Sequence, residues 1–348
     1  MSYFIESDPA LTGEINVPQY EIERMPFDIR KIIARRAFMK LRPHTIINLG
    51  IGLPEGVAGV AAEEGMLEYV TLSTEPGVFG GLPASASNFG PSYNPSSLIE
   101  MNQMFDFYDG GGLNQAYSAQ VSKNGDVYVS RISNERLTGP GGFVDISQST
   151  KNIVFLTSLT TDGLIINSSS STCNGLDIKV EGKIPKFVNE VLEKTFSGEE
   201  SVRRGQYIQY VTERAVFRRT AKHAVIELIE IAHCVDLQID ILDQMEFVPA
   251  ISPHLKAMDG RIFKDAKMKV LDELFGSLLD RCTYHELDHT IYIYLFGITL
   301  SSEDDVDWYS NLIGEIIQPL YRNKGPIDMV VNYDGFDLSK GLESYYLQ

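Results

Sequence analysis

The sequence predicts an α/β fold with an open, mainly parallel sheet, flanking helices and a small C-terminal strand–helix–strand appendage. Two stretches indicate this fold. Residues 45–74 contain a short apolar strand, a glycine turn, a helix and a second strand rich in β-branched residues, which together form one βαβ unit. From residue 290, a β-branched and aromatic strand, a helix opened by Ser302 and Asp305, and a strand ending at Asn332 repeat that order.

The length of 348 residues predicts more than one domain. We expect an N-terminal arm over residues 1–26, a main domain over 27–258 and a small α/β domain of unknown role over 259–348. Local patterns predict three further elements, which are a helix over 186–195, a strand over 207–217 and an amphipathic helix over 264–280.

The formal charge of -17 argues against nucleic acid or an anionic membrane as a partner. Both partners require clustered basic residues. The N-terminus has no apolar segment of a signal peptide, and no stretch approaches the ~20 apolar residues of a membrane span. We therefore expect a cytoplasmic protein.

A single carboxylate stands out in the first half of the chain. Glu75 follows the predicted strand 69–74, and the carboxyl ends of strands are where open α/β sheets hold their sites. Pro76 blocks helix formation, and Gly77 leaves room beside the carboxylate for a ligand. The structural alternative is an exposed glutamate in an ordinary turn.

The glycine turn Gly50-x-Gly52-x-x-x-Gly56 follows one strand and opens a helix, as in dinucleotide-binding folds. The spacing lacks the usual third glycine, and the charge of Glu55 would repel a phosphate. A nicotinamide site, a site for another phosphate-bearing ligand and a purely structural turn all remain open from these residues.

His285 and His289 match the HExxH pattern of zinc proteases, which requires a helix. The β-branched run that follows predicts a strand instead, in which positions four apart lie ~13 Å from each other. No metal site is therefore expected.

No serine or cysteine lies in a sequence context typical of a nucleophile, which leaves Glu75 as the best candidate. The loop at Gly141 and Gly142 offers backbone N–H groups that can stabilise the oxyanion formed when a carboxylate attacks.

Five blocks, taken together, resemble a known family in their order and spacing. They are similar to the second, β half of family I coenzyme A-transferases, of the propionate and short-chain acyl-CoA:acetate type. The resemblance extends from about Phe27 to Phe263. The blocks cover residues 48–56, 74–83, 105–112, 139–143 and 208–217.

The resemblance implies that Glu75 is the nucleophile of a ping-pong reaction through a glutamyl-CoA thioester. Gly141 and Gly142 would form the oxyanion loop. It implies no metal and no permanently bound cofactor, with coenzyme A and acyl-CoA as substrates beside a carboxylic acid. The implied CoA contacts are Gly50, Ile51, Gly52, Leu53, Pro54 and Gly77.

Single-chain relatives carry an α half before this β half, so the resemblance also implies a separate α-subunit and a hetero-oligomer. Two alternatives share the same residues. One is an acyl-CoA hydrolase, in which water attacks the glutamyl thioester. The other is a non-catalytic CoA-binding subunit that regulates a partner.

Overall fold

The computed structural model describes residues 8–41, 45–85, 88–103, 113–117, 120–129, 140, 142–167, 175–271, 282–295, 299–300, 303–333, 336–338 and 341–346. The chain divides into two compact units, Met1–Met268 and Lys269–Gln348. The domain limits predicted after residues 26 and 258 remain predictions.

The first unit contains five α-helices among its described residues and nineteen strands. The helices are α1 (Pro9–Thr12), α2 (Ile29–Phe38), α3 (Glu55–Glu64), α4 (Phe143–Ser149) and α5 (Gly198–Arg203). The strands are β1 (Thr45–Leu49), β2 (Val70–Thr74), β3 (Val78–Phe79), β4 (Leu82–Pro83), β5 (Ser92–Tyr93), β6 (Ser97–Leu98), β7 (Leu113–Tyr117), β8 (Gln120–Ser122), β9 (Val127–Tyr128), β10 (Asn152–Leu156), β11 (Thr160–Thr161), β12 (Ile165–Asn167), β13 (Asp177–Val180), β14 (Ile184–Pro185), β15 (Phe187–Val188), β16 (Tyr207–Val211), β17 (Ala215–Arg219), β18 (Glu227–Ile231) and β19 (Ala250–Ala257).

Ten strands form one sheet in the order β19-β18-β17-β16-β10-β7-β1-β2-β3-β6. Its five central strands, from β16 to β2, are parallel to one another. The neighbours β17 and β3 are antiparallel to them. The α/β class with an open, mainly parallel sheet is therefore confirmed. Because the central strands share one direction, their carboxyl ends meet at a single edge of the sheet.

Helices α2 and α3 pack on this sheet and follow apolar patterns. Asp28 caps α2 by accepting hydrogen bonds from the N–H groups of Arg30 and Lys31. Ile32 and Ile33 of α2 are fully buried, as is Val57 of α3. An aromatic cluster, in which Phe155 lies 5.0 Å from Phe196 and 5.5 Å from Tyr210 between ring centroids, forms part of the core.

The predicted helix over 186–195 is wrong. Phe187 and Val188 form strand β15, which pairs in parallel with β8. Phe187 is fully buried and packs on Phe217 with ring centroids 4.7 Å apart. Burial of these side chains on a sheet outweighs the helical pattern of the segment, because tertiary packing overrides local propensity.

The predicted strand over 207–217 is two strands, β16 and β17, joined by a tight turn. The Thr212 hydroxyl accepts hydrogen bonds from the N–H groups of Arg214 and Ala215, 3.2 and 2.9 Å away. The side chain thus replaces a ladder partner and reverses the chain, as threonine does in such turns.

The predicted helix over 264–280 lies partly outside the described residues. Residues 264–269 are not helical. The Arg35 guanidinium instead binds the carbonyl groups of Lys264 and Ala266, and the Met268 N–H donates to Glu64, 2.7 Å away. These bonds fix the segment to the first unit.

The second unit contains the predicted βαβ appendage. Strand β21 is parallel to β23, with helix α6 between them in sequence, and β20 is antiparallel to β21. The elements are β20 (Cys282–His285), β21 (Thr290–Tyr294), β22 (Thr299–Leu300), α6 (Glu303–Lys324), β23 (Asp328–Asn332), β24 (Asp337–Leu338) and α7 (Glu343–Tyr346).

The HExxH pattern lies in a hairpin and not on a helix. His285 ends β20, and His289 lies in the turn before β21. Within the described ranges, no group of three His, Cys, Asp or Glu side chains is placed to hold a metal ion. None of the helices the structure describes has the length and apolar character to cross a membrane.

Candidate active site

The candidate nucleophile lies at the carboxyl edge of the central strands. Glu75 directly follows β2 and is half-buried. The glycine turn that begins at Gly50 directly follows β1, which pairs in parallel with β2. Adjacent strands lie about 4.8 Å apart. The fold therefore brings the carboxylate and the turn together, although 24 residues separate them in sequence.

The predicted oxyanion loop also reaches Glu75. The Gly142 N–H donates a hydrogen bond to Oε2 of Glu75, 3.0 Å away. Gly142 is buried and immediately precedes helix α4. A backbone N–H at this distance stabilises negative charge on the carboxylate oxygen. Gly141 lies outside the described residues, so its expected role in the loop stays a prediction.

The glycines after Glu75 serve close chain packing. Gly77 has φ +98°, and a Cβ there would overlap the carbonyl group of Ile99. At Gly80 and Gly81 a Cβ would overlap Ser96 and the carbonyl oxygen of Tyr93. The space expected beside Gly77 is thus filled by the segment that forms β6. The CoA contact of Gly77 stays a prediction.

The turn after β1 is closed by its own carboxylate. Oε1 of Glu55 accepts a hydrogen bond from the Gly52 N–H, 2.5 Å away, and Glu55 is only 5% exposed. A phosphate cannot use this N–H while Glu55 holds it, which argues against the dinucleotide interpretation. Of the expected CoA contacts, Ile51 is 59% exposed, and Pro54 is buried.

A buried polar pair that the motif analysis did not single out lies one residue before each segment. Asn48 of β1 donates to the hydroxyl of Ser73 in β2, 3.3 Å away. Thr74 follows, and its hydroxyl donates to the carbonyl of Gly90 at 2.7 Å. Polar residues at the ends of two apolar strands are the sequence feature that marks these positions.

A buried ionic cluster lies at the same edge of the sheet, beyond β16. Arg214 contacts Glu213 at 2.6 Å and Glu181 at 2.7 Å, and its side chain is fully buried. Burial alone would lower the pKa of Arg214, but the charge of Glu213 and the hydrogen bonds of Glu181 raise it above its usual value. The Glu213-Arg214 pair within an apolar run is what marks this cluster in the sequence.

No family model matches the chain. The chain is 44% identical over 275 residues to the caffeate CoA-transferase of Acetobacterium woodii, which covers 77% of this chain and 51% of that protein. It is 41% identical over 260 residues to the acetate CoA-transferase YdiF of Escherichia coli K12, covering 74% of this chain and 48% of YdiF. The chain thus spans about half the length of the curated relatives it matches.

The fold also matches a solved structure of YdiF. The apoenzyme from Escherichia coli O157:H7 superposes with a TM-score of 0.68 at 38% identity, covering 76% of this chain and 48% of that one. The same protein, solved as a thioester complex with CoA, gives a TM-score of 0.64 at 40% identity, covering 72% and 46%. The matched part of this chain is therefore of the family I coenzyme A-transferase type, as its motifs predicted.

Proposed function

We propose that this chain is the β part of a coenzyme A-transferase that moves CoA from a short-chain acyl-CoA to a carboxylic acid through Glu75. The observation that carries the proposal is the hydrogen bond from the Gly142 N–H to Oε2 of Glu75. It supports a carboxylate that reacts at the sheet edge, beside the turn proposed to lie along CoA. The names of the relatives and the CoA thioester complex of YdiF point to the same chemistry.

The proposed reaction begins when one oxygen of Glu75 attacks the acyl-CoA carbonyl carbon. The C–S bond breaks, CoA leaves as a thiolate, and an acyl-glutamyl anhydride remains. The thiolate then attacks the glutamyl carbonyl carbon and expels the acyl group as a free carboxylate, which leaves a glutamyl-CoA thioester. An acceptor carboxylate reverses these steps and leaves as the new acyl-CoA.

Gly142 has a specific role in the second step. Attack on the glutamyl carbonyl places negative charge on a carboxyl oxygen of Glu75 itself. A backbone N–H already directed at Oε2 stabilises this charge with little reorganisation. Gly141 is proposed to assist in the same loop.

We further propose that Gly50, Ile51, Gly52, Leu53, Pro54 and Gly77 border CoA. No permanently bound cofactor and no metal is needed, because CoA is the substrate. The relatives extend to about twice the matched length, so the remainder of the site is assigned to an α-subunit in a cytoplasmic hetero-oligomer.

The test is the intact mass of the chain, together with its α-subunit, after incubation with acetyl-CoA. We expect a CoA adduct that maps to Glu75 and that borohydride reduces to an alcohol. Glu75→Gln should form no adduct and should lose more than about 10³-fold in turnover, since the nucleophile is removed. Glu68→Gln, an exposed glutamate before β2, is the matched control.

Two outcomes would replace the proposal. If the adduct forms but CoA is released equally fast with and without an acceptor acid, the chain belongs to an acyl-CoA hydrolase. If CoA binds, Glu75 stays unmodified and Glu75→Gln retains full activity, the chain is a regulatory subunit.

A further inference from the structure

A cavity of about 400 Å³ lies outside the candidate active site. Its walls come from the arm and the start of α2 (residues 22–30), from the first turns of α3, and from the segment 82–93. Neither Glu75, Gly142 nor any of the proposed CoA contacts lines it. The cavity is within the size range of small-molecule sites.

The charges that line the cavity are unevenly engaged. Asp28 accepts from the backbone N–H groups of Arg30 and Lys31, and Glu55 accepts from that of Gly52. The guanidinium groups of Arg24 and Arg30 also line the cavity, and no residue that the structure describes forms a hydrogen bond or an ion pair with either. Glu23 is the third lining carboxylate. The cavity therefore holds two cations whose pairing capacity is unused.

The remaining lining has an apolar part and a polar part. The apolar part includes Ile22, Met25 and Leu82. Gly59 of α3 keeps the helix surface low, since a Cβ there would meet only Met25, at 3.9 Å. Such a lining favours a ligand with an apolar body over a bare inorganic ion.

We propose that this cavity binds a small organic carboxylate, held by Arg24 and Arg30 and packed against the apolar lining. The planar guanidinium fork matches a carboxylate with two parallel hydrogen bonds. The chain carries a charge of -17, so most of its surface repels such a ligand, and two unpaired arginines make this cavity a local exception.

The ligand would contact two segments that lead to the candidate active site. Glu55 lines the cavity and holds the Gly52 N–H. The segment 82–93 also lines it, and Gly90 of that segment accepts the hydrogen bond of Thr74, the residue before Glu75. The binding proposal itself does not rest on the proposed reaction.

The experiment is isothermal titration of the full chain with benzoate. We expect saturable binding at one site. The double variant R24Q/R30Q should bind about tenfold more weakly or worse, because tenfold in Kd equals about 1.4 kcal/mol and one charge-assisted hydrogen bond supplies that much. Both arginines are exposed, so the variant should fold. R203Q/R204Q on α5 removes two other exposed arginines and should leave Kd unchanged.

The Glu75→Gln variant separates this site from the proposed active site. Benzoate binding should persist in it with the same Kd, whatever its effect on turnover. The proposal is overturned if benzoate shows no saturable binding, if R24Q/R30Q binds as tightly as the wild type, or if Glu75→Gln abolishes binding. Inorganic phosphate is the second probe, and phosphate binding tighter than benzoate would overturn the carboxylate assignment.

Discussion

Glu75 and Gly142 illustrate how a reactive pair is assembled from residues far apart in sequence. The two lie 67 positions apart, yet the Gly142 N–H lies 3.0 Å from Oε2 of Glu75. The Gly142 backbone has φ -75° and ψ 0°. This φ is one that proline also adopts. A substitution can therefore remove the hydrogen-bond donor with the φ value preserved.

We predict that Gly142→Pro lowers kcat by about 10²–10³-fold, the cost of losing one oxyanion donor. Gly142→Ala adds bulk and keeps the N–H, so it should retain most of the activity. Steady-state kinetics of both variants with acetyl-CoA and an acceptor acid checks this. Equal losses in the two variants would show that bulk matters at this position and that the donor does not.

At the scale of elements, the Arg214 cluster joins the turn between β16 and β17 to the loop that follows β13. Arg214→Met leaves Glu213 and Glu181 without their cation. We predict a loss of about 3–5 kcal/mol in the free energy of unfolding, because an unpaired buried charge is strongly destabilising. Urea denaturation measures the loss.

The control for this variant is Arg203→Met on α5. Arg203 also contacts two glutamates, but its side chain is 66% exposed. Exposed pairs contribute at most about 1 kcal/mol. A similar loss in both variants would mean that the buried cluster has no special energetic role.

A second buried pair connects α2 to β18 and makes stability depend on pH. Arg36 binds Glu230 through two hydrogen bonds of 2.6 and 2.8 Å. Burial alone would raise the pKa of Glu230, but Arg36 and Lys256 outweigh it and hold the pKa below its usual 4.5. Since the folded pKa is lowered, the stabilisation is present above pH 4.5 and is lost as the pH falls through the folded value.

We predict that Glu230→Gln flattens the fall in unfolding free energy below pH 4.5. Urea denaturation at neutral pH and at successively lower pH values measures it. Glu199→Gln changes an exposed glutamate, 68% exposed, and should keep the wild-type slope. An unchanged slope in Glu230→Gln would contradict the pKa assignment.

At the scale of the whole molecule, the end of the first unit can be tested by truncation. The carbonyl groups of Lys264 and Ala266 bind the buried Arg35, and Met268 binds Glu64. A chain ending at residue 258 lacks these partners, whereas a chain ending at residue 271 keeps them.

We predict that the shorter chain is less stable by about 3 kcal/mol or more, because Arg35 is left buried without acceptors. Thermal and urea denaturation of the two chains measures the difference, and both lack the second unit, so they are matched. Equal stability would place the end of the first unit at residue 258, as the sequence pattern suggested.

The sequence by itself determined the class of fold, the strands that frame the site and the position of Glu75. These rest on local rules: a βαβ pattern of apolar runs, glycines where the chain turns, and a carboxylate at a strand end. The C-terminal βαβ unit and the strand after His289 followed from the same rules.

Only the tertiary structure decided which of these groups meet. The use of Gly52 by Glu55, the filling of the space at Gly77 by Ile99, and the turn at Thr212 all depend on groups distant in sequence or on side-chain hydrogen bonds that compete with a strand. Local periodicity describes which face of an element is apolar, and it carries no information about what packs on that face. For this reason the helix predicted over 186–195 became the buried strand of Phe187.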